Sequence, residues 1–259
     1  MWFQGAYDQT INLQSRGRQF QAFVLQGRAA QISMGISPKA LPAYQSVLDL
    51  KGKKIGVSAL GSWSNMVANM ILARAGLTPQ DVSFISVGTA AGAVTAFRAG
   101  HIDALSNVDP VMTMLEQKGE IRIIADTRTL KGSVDVFGGP MPAGCLYASS
   151  EFIQRNPNTV QALTYAMTRA LKWLQTAGPR DIIKTVPPAY LMGDRAMYLT
   201  AFNKVRGAIS PDGLIADEGP RISVMALASF DPSIKIDKID LSKTYTNEFA
   251  KKAKDRFKA

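Results

Sequence analysis

From residue 47 to about 125 the chain alternates short apolar, β-branched runs with helical ones, and this constrains its fold more than any other feature. Lys54–Ser58, Val82–Val87, Ile102–Ser106 and Ile121–Ala125 read as strands. A helix is predicted from about Ser64 to Ala75, stopped by Gly76. A second carries Ala93, Val94 and Phe97 and stops at Gly100. A third opens at Asn107-Val108-Asp109-Pro110, with Pro110 at the permissive first turn. Strands separated by helices at this spacing form a mostly parallel sheet with right-handed crossovers, so the fold class is α/β.

In such sheets ligands bind beyond the carboxyl ends of the strands. Here those ends are Ser58-Ala59-Leu60-Gly61-Ser62, Gly88-Thr89-Ala90 and Ser106-Asn107-Val108-Asp109. All three are small and polar, and each precedes a helix. Small residues let a ligand approach the backbone, and helix N-termini offer N–H donors and a positive dipole end. The hydroxyls of Ser62 and Thr89 add donors. The same residue types also serve as plain N-caps, so each loop alone fits both readings. Three of them on one edge favour a site.

The flanking regions are less regular. Before residue 43, Phe20–Leu25 and Ile32–Ile36 read as strands, and Thr10–Ser15 as a helix ending at Gly17. Two or three strands cannot close a core alone, so they must pair with something later in the chain or outside it. Ser149 or Ser150 caps a short helix ending near Asn156-Pro157. A longer helix from about Asn158 to Thr176 carries the core stripe Val160, Leu163, Met167, Leu171 and Leu174. The last third is mainly helical. Between these regions Gly138–Gly144, rich in Gly and Pro, reads as a crossover, a hinge or an ordinary loop, and leads into the strand-like Cys145-Leu146-Tyr147.

Composition narrows the function. With 46% hydrophobic and 19% charged residues in 259, the chain has material for a sizeable core, and disorder or a coiled coil does not fit. No apolar run approaches the ~20 residues needed to span a bilayer. The first residues lack the basic start and apolar stretch of about 7–15 residues that mark a signal peptide. Cys145 is the single cysteine and His101 the single histidine, which excludes a disulfide framework and argues against a Cys/His zinc site. The net charge of +10 clusters most at Lys251, Lys252, Lys254, Arg256 and Lys258. That cluster reads as a solvated helix face. Without interleaved aromatics or a helix-turn-helix, no nucleic-acid partner is expected. His101 reads as a surface connector and Cys145 as a buried, inert thiol. Asp103 and Asp109 are a candidate carboxylate pair with nothing else to support acid/base work. There is no Gly-x-Ser-x-Gly elbow, phosphate loop or dinucleotide fingerprint, which favours binding over catalysis.

Several segments, in order, resemble one family: Gly5-Ala6-Tyr7-Asp8-Gln9-Thr10, Asp49-Leu50-Lys51-Gly52-Lys53-Lys54-Ile55-Gly56-Val57, the Gly61-Ser62 turn, Ala99-Gly100-His101-Ile102-Asp103-Ala104 and Leu241-Ser242-Lys243-Thr244-Tyr245-Thr246-Asn247. The family is the solute-binding proteins of ABC importers for nitrate, sulfonates and taurine, which includes pyrimidine-precursor binders. The resemblance implies a type II periplasmic-binding-protein fold, with two α/β lobes and a ligand cleft. It implies capture, not conversion, of a small polar or anionic organic solute, and delivery to a membrane permease and its ATPase. It implies no cofactor and no metal, a monomer, and a periplasmic location for the full-length member. Residues 1–43 would be the remainder of a truncated first lobe, 44–140 the second lobe, and 141–259 the return crossover and a mainly helical part packing on both. By position, Tyr7, Asp8 and Thr10 match the first-lobe strand-to-helix turn, and Gly61, Ser62, Gly88, Thr89 and Asn107 the second-lobe wall. Tyr7 reads equally as a packing aromatic. Two other functions share the fold. A thiamine-pyrimidine synthase-like enzyme would need a cysteine-rich iron-binding segment and a histidine donor. The effector-binding domain of a LysR-type regulator would need an N-terminal helix-turn-helix. One cysteine and an unsupported His101 argue against the first, and no helix-turn-helix pattern supports the second.

Overall fold

The computed structural model describes residues 1–259. Its strands are β1 (Trp2–Ala6), β2 (Phe20–Leu25), β3 (Ile32–Ile36), β4 (Lys54–Val57), β5 (Ser83–Ser86), β6 (Ala104–Val108), β7 (Arg122–Asp126) and β8 (Gly144–Ser149). Its helices are α1 (Asp8–Ser15), α2 (Trp63–Arg74), α3 (Ala91–Arg98), α4 (Val111–Gln117), α5 (Leu130–Phe137), α6 (Ser150–Arg155), α7 (Pro157–Thr176), α8 (Pro179–Thr185), α9 (Arg195–Arg206), α10 (Gly219–Ala228) and α11 (Glu248–Phe257). The chain packs as two compact units. The first comprises Met1–Ala30, Ser133–Ala177 and Arg206–Ala259, the second Gln31–Gly132 and Gly178–Val205.

The second unit is built on a five-stranded sheet of order β5-β4-β6-β3-β7. β4 pairs parallel with β5 and β6, and β3 pairs antiparallel with β6 and β7. Four strands therefore run one way, as the alternation predicts, and β3 alone is reversed. The sequence groups β3 with the opening residues. It lies in the second unit because both its edges carry ladder bonds to that sheet, and all five of its residues are buried. Gly35 makes this closeness possible: a Cβ there would sit 2.9 Å from the Arg122 carbonyl oxygen and press on Ile121. Ala93, Val94 and Phe97 of α3 and Val111, Met112 and Leu115 of α4 form one core with Ile102 and Leu105. Each fully buried side chain of this size contributes roughly 1.5–3 kcal/mol.

The first unit is built on a three-stranded antiparallel sheet of order β1-β8-β2. The early strands β1 and β2 thus find their partner late in the chain, in β8. Phe23 and Val24, Leu146 and Ala148, Ile153, Val160 and Phe249 form its core, with Leu163 and Met167 packed against them. On α7 the most buried line is Val160, Thr164, Thr168 and Leu171, so two threonines sit where the apolar stripe predicts only flanks. Thr164 is accommodated by donating to the Val160 carbonyl at 2.8 Å. The Gly138–Gly144 segment belongs wholly to this unit, where the Ala143 N–H donates to Gly27 O at 2.9 Å. The late segment around Thr244 lies beside β2: Ala22 N–H donates to Thr244 O at 3.0 Å, and Thr246 N–H to Ala22 O at 2.8 Å.

Candidate functional site

At the carboxyl edge of the second unit's sheet, three loops are tied into one cluster. The first follows β4. The hydroxyls of Ser58, Ser62 and Ser64 form a triangle, with Oγ–Oγ distances of 2.8 Å (58–62), 2.9 Å (58–64) and 3.1 Å (62–64). Ser62 is also the N-cap of α2, its Oγ accepting from Asn65 N–H at 3.4 Å. The Gly61 N–H donates to Asn65 Oδ1 at 2.9 Å. Both readings of this loop therefore hold at once: Ser62 caps the helix and belongs to a hydroxyl cluster. Ser64 is buried, whereas Ser58 and Ser62 are partly open.

The second loop follows β5. Gly88 takes a left-handed φ of 76°, a conformation that suits glycine. Its N–H donates to Ser58 O at 3.1 Å, and the Leu60 N–H donates to Ser86 Oγ at 3.2 Å, so the two loops hold each other. Helix α3 begins at Ala91 with Ala90 as its N-cap and no side-chain cap. Thr89 is exposed and its hydroxyl makes no hydrogen bond. Capping does not account for Thr89; the Ala93 N–H donates to Ala90 O at 3.0 Å, which leaves the Ala91 and Gly92 N–H groups at the start of α3 as open donors.

The third element differs from expectation. Ser106, Asn107 and Val108 are not a loop: β6 continues through Val108, because β3 pairs with it as far as Ile32↔Val108. Asn107 is consequently buried, donating through Nδ2 to Gly88 O at 2.8 Å and accepting at Oδ1 from Val108 N–H at 2.8 Å. It holds the Gly88 loop in place. Ser106 does the same for α2, donating to Ser64 O at 2.8 Å. Gly61, Ser62, Gly88, Thr89 and Asn107 therefore fall in one connected neighbourhood.

A fourth loop on this edge, Thr127-Arg128-Thr129 after β7, obeys the same rule and escapes the sequence reading, because α5 is not recognised there. Arg128 is fully buried. Its guanidinium bonds Asp126 (Nη2–Oδ2 2.7 Å), Glu116 (Nη2–Oε2 2.9 Å) and Asp109 (Nη1–Oδ1 3.5 Å), and Lys204 reaches the same Glu116 oxygen at 2.7 Å. Burial works against the Arg128 charge, and Asp126, Asp109 and Glu116 more than offset it, so the group stays protonated. Burial alone would raise the carboxyls of Glu116 and Asp126. The hydrogen bonds from Lys204 and Arg128 hold the first below its ordinary value, and those from Arg128 do so for the second. Asp103 and Asp109 do not pair. They flank the two ends of β6, roughly 20 Å apart at about 3.3 Å per residue. Asp103 instead accepts from Lys54 N–H at 2.8 Å.

In the first unit, Tyr7, Asp8 and Thr10 sit together at the turn from β1 into α1, all fully buried. The Tyr7 hydroxyl and Thr244 Oγ1 are 2.5 Å apart, joining two of the segments that carry the family resemblance. Burial pushes the phenol pKa up. Thr10 Oγ1 donates to Tyr7 O at 2.8 Å. Asp8 Oδ2 accepts from Gln9 Nε2 at 3.2 Å and Asn12 Nδ2 at 3.3 Å, while Oδ1 is buried without a partner. Burial raises this carboxyl from 3.8 to about 7. Cys145 is buried nearby, and burial followed by the Asp8 charge pushes its thiol up, which keeps it a poor nucleophile. His101 is exposed in the turn between α3 and β6. No group of His, Cys, Asp and Glu is arranged to hold a metal ion, and no helix is long and apolar enough to cross a membrane.

Known proteins match this architecture. A solved structure of a Bordetella bronchiseptica RB50 protein is 52% identical over the whole of this chain and 81% of its own, with a TM-score of 0.96. The alkanesulfonate-binding protein SsuA from Xanthomonas axonopodis pv. citri, solved bound to MOPS, superposes with a TM-score of 0.68 at 17% identity, over 95% of this chain and 80% of its own. That likeness is one of fold, the type II periplasmic-binding-protein fold. A Brucella abortus (strain 2308) protein described as a binding protein is 26% identical over 168 residues, 63% of this chain and 49% of the relative. The chain thus spans about half the length of the curated relatives it matches. Residues 21–186, well over half of the sequence, match the NMT1-like family. The chain belongs to the NMT1-like family.

Proposed function

We propose that this chain is the solute-binding component of an ABC importer. It captures a small polar or anionic organic solute, of the sulfonate, nitrate or taurine kind, and delivers it unchanged to a membrane permease and its ATPase. The observation that carries this reading is the carboxyl-edge cluster of the second unit. Its Ser62 hydroxyl, which accepts the Ser58 proton and keeps its own to donate, the unengaged Thr89 hydroxyl and the open Ala91 and Gly92 N–H groups of α3 are donors that suit an anionic head group. Gly61 and Gly88 let the solute reach the backbone, and Asn107 positions the Gly88 loop. Tyr7, Asp8 and Thr10 shape the corresponding turn of the first unit. Binding without conversion is favoured because the cluster holds no histidine, cysteine or unpaired carboxylate to act as nucleophile or base. Hydroxyl and amide donors need no cofactor. The working form is a monomer, and the whole protein acts in the periplasm.

A thermal melt against nitrate, taurine, alkyl and aryl sulfonates, carboxylates and pyrimidines tests this reading. A ligand that binds only the folded state raises the midpoint by mass action. One solute class is expected to raise it and to be recovered unaltered. A solute that shifts the melt but is consumed would overturn the reading in favour of an enzyme.

A further inference from the structure

A cavity opens on the opposite edge of the second unit's sheet. β3 runs against β6, so its last residue, Ile36, pairs with Ala104, the first of β6. The Ser37 N–H then donates to Asp103 O at 2.9 Å. The end of α3 and the turn after α4 lead into the starts of β6 and β7, and so reach this same edge. Ser37–Ala40, Phe97–Gly100, Gly119 and Glu120 together line a cavity of about 580 Å³. That lies within the roughly 300–1,000 Å³ typical of small-molecule sites.

The chemistry of its lining is specific. Glu120 Oε2 accepts from Arg98 Nε at 2.8 Å, which fixes the guanidinium plane and leaves its two terminal nitrogens as donors. Lys39 is exposed and makes no ion pair. Two cations against one carboxylate leave the rim with a net positive charge. Pro38, Ala40, Phe97 and Ala99 supply apolar surface beside it. A planar guanidinium with a free fork, next to an unpaired ammonium and an apolar wall, matches an anionic head group on an apolar body. We propose that this cavity is a second ligand site, taking a small organic mono-anion with an apolar body, its head group held by Lys39 and Arg98. The proposal is independent of the solute site at the carboxyl edge.

The test is a titration of the whole ¹⁵N-labelled chain with 1-naphthoate, followed by amide chemical shifts. Saturable shifts are expected at Ala40, Ala99, Gly100 and Gly119, with Gly61 and Gly88 unmoved. Lys39→Glu should weaken binding about tenfold or more, since it reverses a charge facing the head group. Ala40→Trp, which fills the cavity without touching its charges, should abolish it. Both substitutions are at exposed positions, and the amide spectrum reports that each variant is folded. Three results would overturn the proposal: no saturable shift at these amides, shifts confined to Gly61 and Gly88, or binding that survives both substitutions unchanged.

Discussion

Asn107 and Gly88 lie nineteen residues apart in sequence and 2.8 Å apart in space, the Asn107 amide donating to the Gly88 carbonyl. Gly88 in turn donates to the Ser58 carbonyl. One buried carboxamide therefore supports two of the loops that present hydroxyls and N–H groups at the sheet edge. Asn107→Ala leaves the Gly88 carbonyl without its donor and opens a small void. It should cost about 1–3 kcal/mol of stability, read as a lower urea midpoint, and should speed amide exchange at Gly88 and Thr89.

Capping and ligand contact separate at Ser62 and Thr89. Ser62→Ala removes an N-cap and one corner of the serine triangle, so it should lower stability by about 1 kcal/mol as well as solute affinity. Thr89→Ala removes an exposed hydroxyl that bonds nothing, so stability should stay within about 0.5 kcal/mol while affinity falls. Paired denaturation and binding measurements on both variants decide this. Equal affinity in Thr89→Ala and the parent chain would remove Thr89 from the site.

The Arg128 cluster should dominate acid stability of the second unit. Arg128→Met leaves Asp109 and Asp126 without a cation and Glu116 with Lys204 alone, and should cost about 3–5 kcal/mol. Glu116 and Asp126 titrate below their ordinary range in the folded state, so their stabilisation is complete above that range. It is lost as pH falls through the lowered values. Parallel melts from neutral to acid pH should show a steep fall for the parent chain and a shallower one for Arg128→Met.

Asp8 carries the opposite sign. Its carboxyl is raised to about 7 by burial, with Gln9 and Asn12 as its only hydrogen-bond donors from side chains and Cys145 and Tyr147 as titratable neighbours. The folded state then holds a proton that the unfolded state releases near 3.8. Stability is lost as pH rises from about 4 to about 7, and no further loss from this group follows above that. At about 1.4 kcal/mol for each unit of pH, the full effect is up to about 4 kcal/mol. Asp8→Asn should therefore stabilise at pH 8 and be near neutral at pH 4, as paired melts at the two values would report.

The alternation of strands and helices made the second unit's sheet legible, because period and turn residues there act locally. The same local order puts Gly61, Ser62, Gly88 and Thr89 in loops that follow the strands of that sheet. What escaped the sequence was non-local. That β3 inserts between β6 and β7 depends on ladder bonds whose partners lie some 70 to 90 residues on. Asn107 reads as a loop residue until β3 is seen to extend β6 past it. Arg128 reads as one basic residue among 30 Lys and Arg, and only burial against three carboxylates distinguishes it. The hydroxyl partner of Tyr7 is likewise out of local reach, because Thr244, near the far end of the chain, supplies it.

On the proposed function, the carboxyl-edge cluster holds a small anionic solute without converting it. Isothermal titration of the parent chain and of a Ser58→Ala, Thr89→Ala double variant with alkyl and aryl sulfonates, nitrate and taurine tests it most directly, with the solute analysed afterwards. Saturable 1:1 binding of one solute class is expected, weakened at least about tenfold in the double variant, with the solute recovered intact. Binding that is indifferent to both substitutions, or a solute recovered chemically changed, would contradict it.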